Sequence, residues 1–180
     1  MPKYTLTEGL ADLKTMTARI SKKQQTIMTY FARDAKLRDP HEADGGSKEY
    51  VRRERQAIHD LEERIVKIRS SIQDVNARTP LTVGTTTRTV MEWLNWRREV
   101  SAKSKAFLAQ MAQTLAQVRQ NAVRQGMTVT DKETYSPGDV VVMVNEQELA
   151  RDIENMETVL GTLDGKLSLL NATTTIEVPD

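Results

Sequence analysis

The sequence predicts a mainly α-helical protein built from two long antiparallel helical hairpins, four helices in an elongated arrangement, with short β-hairpins at their ends. Two observations carry that expectation. Long stretches repeat apolar residues at alternating steps of three and four, the spacing that lines one face of a helix. The motifs that open and close the first half recur in the second: Thr5-Leu6-Thr7-Glu8 against Thr89-Val90-Met91-Glu92, and Asn76-Ala77-Arg78-Thr79-Pro80-Leu81-Thr82-Val83 against Asn171-Ala172-Thr173-Thr174-Thr175-Ile176-Glu177-Val178. Composition agrees. Only two Phe, two Trp and four Tyr accompany 28% charged residues, too little bulky apolar mass for a thick interior but enough for narrow helix seams.

Thr5 and Glu8 form a T-x-x-E capping box, which starts a helix near residue 6. Leu6, Leu10, Leu13, Ile20, Ile27 and Phe31 supply its seam, with Thr17 and Gln24 as polar interruptions. Pro40 and Gly45-Gly46 mark a loop over Asp39 to Ser47. The second helix has the clearest pattern, Val51, Ile58, Leu61, Ile65, Ile68, Ile72 and Val75, broken only at Glu54. From Ser47 to Asn76 it would reach about 45 Å at about 1.5 Å per residue.

Pro80 cannot continue that helix, and the β-branched run around Gly84 predicts a hairpin. Thr89 with Glu92 repeats the capping box. The third helix then follows Leu108, Met111, Leu115, Val118 and Ala122 and stops at Gly126. Residues 127–145 contain Met127 to Thr130, a Ser136-Pro137-Gly138-Asp139 turn and Val140 to Val144, which predict two short strands joined by a turn. Leu149, Ile153, Met156, Leu160, Leu163, Leu167 and Leu170 line the fourth helix.

The opening motifs are 84 residues apart (5 to 89) and the closing motifs 95 apart (76 to 171), so the second unit is 11 residues longer. The strand pair at 127–145 is the expected address of the excess. Asn76 and Asn171 are read as helix terminators, since Asn tolerates the left-handed conformation. The expected organisation is residues 1–83 as one hairpin with its closing strand and 84–180 as another with the inserted strand pair and its own closing strand, together one structural unit.

The 26 basic and 25 acidic residues are interspersed, giving a net charge of +1, and this opposes a dedicated polyanion binder. The sequence has no cysteine, no apolar run of transmembrane length and no signal-peptide core at its start, so synthesis in a cytoplasm is expected. His41 and His59 have no ligand-spaced companions, Glu62-Glu63 falls on a solvated face, and phosphate-loop, dinucleotide, serine-hydrolase and zinc-protease motifs do not occur. No catalytic residue, metal or cofactor is expected, and the chain is read as non-enzymatic. Asn171-Ala172-Thr173 matches a glycosylation sequon but is read as a helix end.

Trp93 and Trp96 beside Arg97 and Arg98 could stack on a nucleic acid or headgroup, or bury as anchors against a hairpin or subunit. With the extended segments at Val142, Val144, Ile176 and Val178, able to add strands to a partner's sheet, Trp93, Trp96 and Arg97 make up the expected partner interface.

The Thr89 to Leu94 run after a β-turn, with the Leu167 to Val178 ending, resembles small helical proteins of tailed-phage genomes and, more loosely, septicolysin-like bacterial proteins. The phage resemblance implies a virion structural or assembly protein (capsid, neck or tail) made in the host cytoplasm and incorporated in the particle. Its partners would be other virion proteins and further copies of itself. The septicolysin resemblance implies a membrane-active protein. The arginine clusters leave a nucleic-acid-associated packaging or scaffolding factor as a further alternative.

Overall fold

The computed structural model describes residues 3–179. The chain is mainly helical with short strand pairs, in the order β1 (Lys3–Thr5), α1 (Leu6–Thr29), α2 (Ser47–Arg78), β2 (Pro80–Val83), β3 (Thr86–Thr89), α3 (Val90–Asn95), a π-helical turn (Trp96–Ser101), α4 (Ala102–Arg124), β4 (Val129–Thr130), β5 (Val140–Val141), α5 (Glu146–Thr173) and β6 (Thr175–Glu177). It divides into two compact units, Met1–Arg78 with Ser168–Asp180 and Thr79–Leu167. These do not coincide with the 83/84 sequence boundary, because each half's closing strand lies in the unit formed by the other half's helices.

Both capping boxes form, and they superpose number for number. In the first unit the Thr5 amide donates to Glu8 Oε2 at 2.7 Å and the Glu8 amide to Thr5 Oγ1 at 3.2 Å. In the second, Thr89 and Glu92 make the same bonds at 2.7 and 3.2 Å. Two orphan amides are satisfied at each helix start, an arrangement worth about 1 kcal/mol. The bonds from the Thr amides and hydroxyls hold the Glu8 and Glu92 carboxyls below the ordinary range.

The strand pairs repeat the correspondence. β1 pairs antiparallel with β6, Thr5 opposite Thr175 and Lys3 opposite Glu177. β3 pairs antiparallel with β2, Thr89 opposite Pro80 and Thr87 opposite Thr82. The Leu6 amide donates to Thr174 O and the Val90 amide to Thr79 O, both at 2.9 Å. Ser71 Oγ reaches the Glu177 carbonyl at 2.9 Å, and Lys166, 95 positions on, donates Nζ to the Thr82 carbonyl at 2.5 Å. The β2–β3 turn places Gly84 at φ 58°, with no positive φ at Thr85, the pattern of a type II′ hairpin turn that requires Gly first.

In the first unit α1 and α2 run antiparallel over a core of Leu6, Leu13, Met16, Ile68, Ile176 and Val178, with Leu61, Ile65 and Ile72 packed against it. Of the expected α1 seam only Leu6 and Leu13 are in it: Ile20 and Ile27 are half-buried outside it and Leu10 and Phe31 are exposed, while Gly9 and Met16 are buried. Gly9 lies where a Cβ would stand 3.0 Å from Ile176 Cδ1, so the missing side chain is what lets β6 seat. Glu54, the break in the α2 seam, accepts from Lys23 Nζ at 2.9 and 3.1 Å across the helix pair.

In the second unit the helical run 90–124 comprises segments of 6, 6 and 23 residues against 24 in α1. This run is thus 11 residues longer than α1, while the connection 125–145 is 4 residues longer than 30–46 and α5 is 4 residues shorter than α2. Val90 and Trp93 match Leu6 and Gly9 at a spacing of 84, but the match ends at the π turn: the next buried positions are Leu13 in α1 and Ser101 in the second run, 88 apart. Leu163 and Ile68, 95 apart, are both fully buried.

Two further expectations are corrected. β4 and β5 pair in parallel, Val129 with Val140 and Thr130 with Val141, so the segment is a crossover and not a hairpin. Asn76 and Asn171 sit inside α2 and α5, which run on to Arg78 and Thr173, and no non-glycine residue among those described has a positive φ. An asparagine missed by the sequence reading, Asn145, caps α5: its Oδ1 accepts from the Gln147 and Glu148 amides at 3.0 and 3.1 Å.

Candidate interaction surface

The loop before α2 is ordered by one carboxylate. Asp39 accepts from the Ser47 hydroxyl at 2.6 Å, from the Ser47 amide at 3.0 Å and from the His41 amide at 2.9 Å, with Arg33 at 3.5 Å. The Ser47 hydroxyl and amide chiefly, then the His41 amide and Arg33, lower its pKa from 3.8 to about 2. Because the folded state holds the anion more tightly than the unfolded chain, this contribution is complete above the ordinary pKa and disappears as pH falls from 3.8 towards 2. Acid titration followed by near-ultraviolet circular dichroism should therefore show the loop persisting into that window in the native chain. In Asp39→Asn the titration step should vanish; an unchanged acid limb would refute the assignment. The signal comes from Tyr30 and Tyr50, which the loop's His41 orders by stacking on Tyr50 at 3.9 Å and meeting Tyr30 edge-on at 4.5 Å. His41 was read as a surface residue, but it is half-buried and its Nε2 is buried without a hydrogen-bond partner.

The first unit has a cavity of about 540 Å³ lined mostly by charged side chains, Lys48, Glu49, Arg52 and Arg55; the apolar openings are in the second unit. α4 and α5 run antiparallel, joined by Arg97–Asp164 at 2.9 Å, Lys105–Glu157 at 3.8 Å and an Arg119–Glu146 pair. These pairs are largely exposed and position the helices more than they stabilise them. Between the helices lies a cavity of about 400 Å³ lined by Trp96, Phe107, Leu108, Asp152, Met156 and Val159. A second, of about 340 Å³, is walled by Phe107, Met111, Leu115, Val118, Val142 and Val144. Phe107 lines both, so they form one apolar groove. Its rim is unusually bare: Phe107 is 61% and Met143 91% exposed. In the first unit the tier of Glu54 holds an ion pair; 95 residues on, the same tier holds buried Leu149, which floors this groove.

The expected interface residues separate into four groups. Trp96, Val142 and Val144 line the groove. Trp93 does not; it is 3% exposed, donates Nε1–H to the Leu81 carbonyl at 2.8 Å, meets Trp96 edge to face at 5.4 Å and carries the Arg88 guanidinium 4.9 Å over its ring. Arg97 is engaged with Asp164. Ile176 and Val178 are in the first unit's core and cannot meet a partner while β6 is paired. Sequence reasoning missed Phe107 and Met143; the bare pattern signal was Phe107 standing off the Leu108-Met111-Leu115 seam. Among the described residues no three His, Asp or Glu side chains gather where a metal could sit, and no helix is long and apolar enough to cross a membrane. No family model, curated protein or solved structure matches the chain.

Proposed function

We propose that the protein is a non-enzymatic structural or assembly component, a duplicated helical hairpin of the tailed-phage virion kind that its opening and closing motifs resemble, docking through the groove of its second unit. The groove carries this reading. A continuous apolar trough with Phe107 and Met143 standing in solvent is the kind of surface that soluble chains normally cover. Its width between two helices and its apolar walls suit the apolar face of an amphipathic helix from another assembly protein. Arg97–Asp164, Lys105–Glu157 and Arg119–Glu146 bridge the same two helices and supply the polar setting that interfaces place around such anchors.

The test is association with particles. The chain should copurify with them from infected cells, and Phe107→Glu with Met143→Glu should weaken that association at least about tenfold, since exposed apolar anchors dominate docking energy. The far-UV circular dichroism of the double variant should be unchanged because both side chains are mostly exposed. Undiminished association, or a chain found only free of particles, overturns the reading.

A further inference from the structure

The strand pairs are one structure made twice with the donors exchanged. The closing strand after α2 does not return to β1 but completes β3, and the closing strand after α5 completes β1. We infer that residues 175–178, carrying β6, are an exchangeable plug, and that their acceptor in trans is the β1 edge and the Leu6, Gly9 and Ile68 hollow of a second copy of this chain.

Each contact that seats β6 is local to the acceptor. The antiparallel register, the Leu6 amide to Thr174 O, Ser71 Oγ to Glu177 O and the burial of Ile176 and Val178 would all form with a strand delivered from any copy. The second strand pair has the same geometry, although there β2 and β3 are joined directly by the Gly84–Thr85 turn. β2 arrives from the other half and makes the matching register, the matching 2.9 Å amide bond and the matching bond to a helix side chain. The connection suits release: α5 ends at Thr173 and β6 begins at Thr175, so Thr174 alone is the hinge, and short hinges favour exchange between copies. The strand to be released is three residues long with an exposed Lys3–Glu177 ion pair, but its release uncovers Ile176 and Val178, so exchange calls for long incubation. Released, Ile176 and Val178 leave water only by docking again, in cis or in a second copy. Reciprocal exchange closes a two-fold dimer with no unmatched strand. The inference stands apart from the groove reading, since it uses only the first unit and β6.

The chain has no cysteine, so thiols can be placed singly. Lys3 and Glu177 face each other directly, within the span of a disulfide. Lys3→Cys and Glu177→Cys chains, each folded by circular dichroism, are mixed at high concentration, incubated and oxidised. The mixed disulfide dimer should exceed that of a Lys3→Cys and Thr85→Cys control mixture at least about tenfold, because paired thiols meet at a far higher effective concentration than colliding chains. The doubly substituted chain, oxidised when dilute, should close on itself as a monomer. Closure there with only control-level dimer in the mixture overturns exchange; failure of the double variant to close overturns the β1–β6 register on which it rests. Loss of particle association in the groove variants bears on neither result.

Discussion

Trp93→Ala should cost about 3–5 kcal/mol of stability, the range for emptying a buried tryptophan site. The indole is 3% exposed, packed edge-on against Trp96, and its Nε1–H bonds the Leu81 carbonyl, so the substitution leaves both a void and a carbonyl without that donor. Trp93→Phe separates the two effects: it keeps most of the packing and loses the hydrogen bond, for about 1 kcal/mol plus the smaller ring's deficit. Urea unfolding of the three chains measures this. A loss under 1 kcal/mol for the alanine variant would mean that the ring is not a core element and would return it to the partner surface.

The second large effect falls on β6. Ile176→Ala should destabilise by about 2–4 kcal/mol, because the side chain is 1% exposed and fills the space left by Gly9 beside Ile68. Glu177→Ala, one position along the same strand but exposed, should stay within about 0.5 kcal/mol, its ion pair with Lys3 lying in solvent. The comparison isolates burial from strand pairing. Equal effects at the two positions would show that the alternation of β6 is misassigned.

What the sequence made legible was local. A T-x-x-E box is complete within four residues, and both form at the expected place. The α2 and α5 seams survive because Ile68 and Leu163 sit at the centre of unbroken periodic runs. Illegible parts depend on residues far apart or on what is missing. Which closing strand meets which opening strand is a matter of long-range pairing, and Asn-Ala-x-Thr reads the same whether the strand returns or crosses. Gly9 contributes nothing to an apolar pattern, yet its bare Cα admits Ile176. Glu54 looks like a fault until Lys23 is placed opposite it. The groove was half-visible. Trp96, Val142 and Val144 were chosen for their residue type, whereas Phe107 and Met143 lie off every periodic face and become prominent only once α4 and α5 are set in three dimensions.

The pairing of Trp93 with Trp96 also has an optical side. Both of the chain's tryptophans belong to the second unit, one sealed in its core and one on the wall of the groove, while Tyr4, Tyr30 and Tyr50 belong to the first. Light absorbed at the red edge of the aromatic band is thus emitted from one unit alone, by a shielded indole and a solvent-facing one. A guest settling in the proposed groove would dry Trp96 and shift to the blue the emission that the two rings, 5.4 Å apart, share. The molecule would then carry its own reporter of occupancy, with no dye attached.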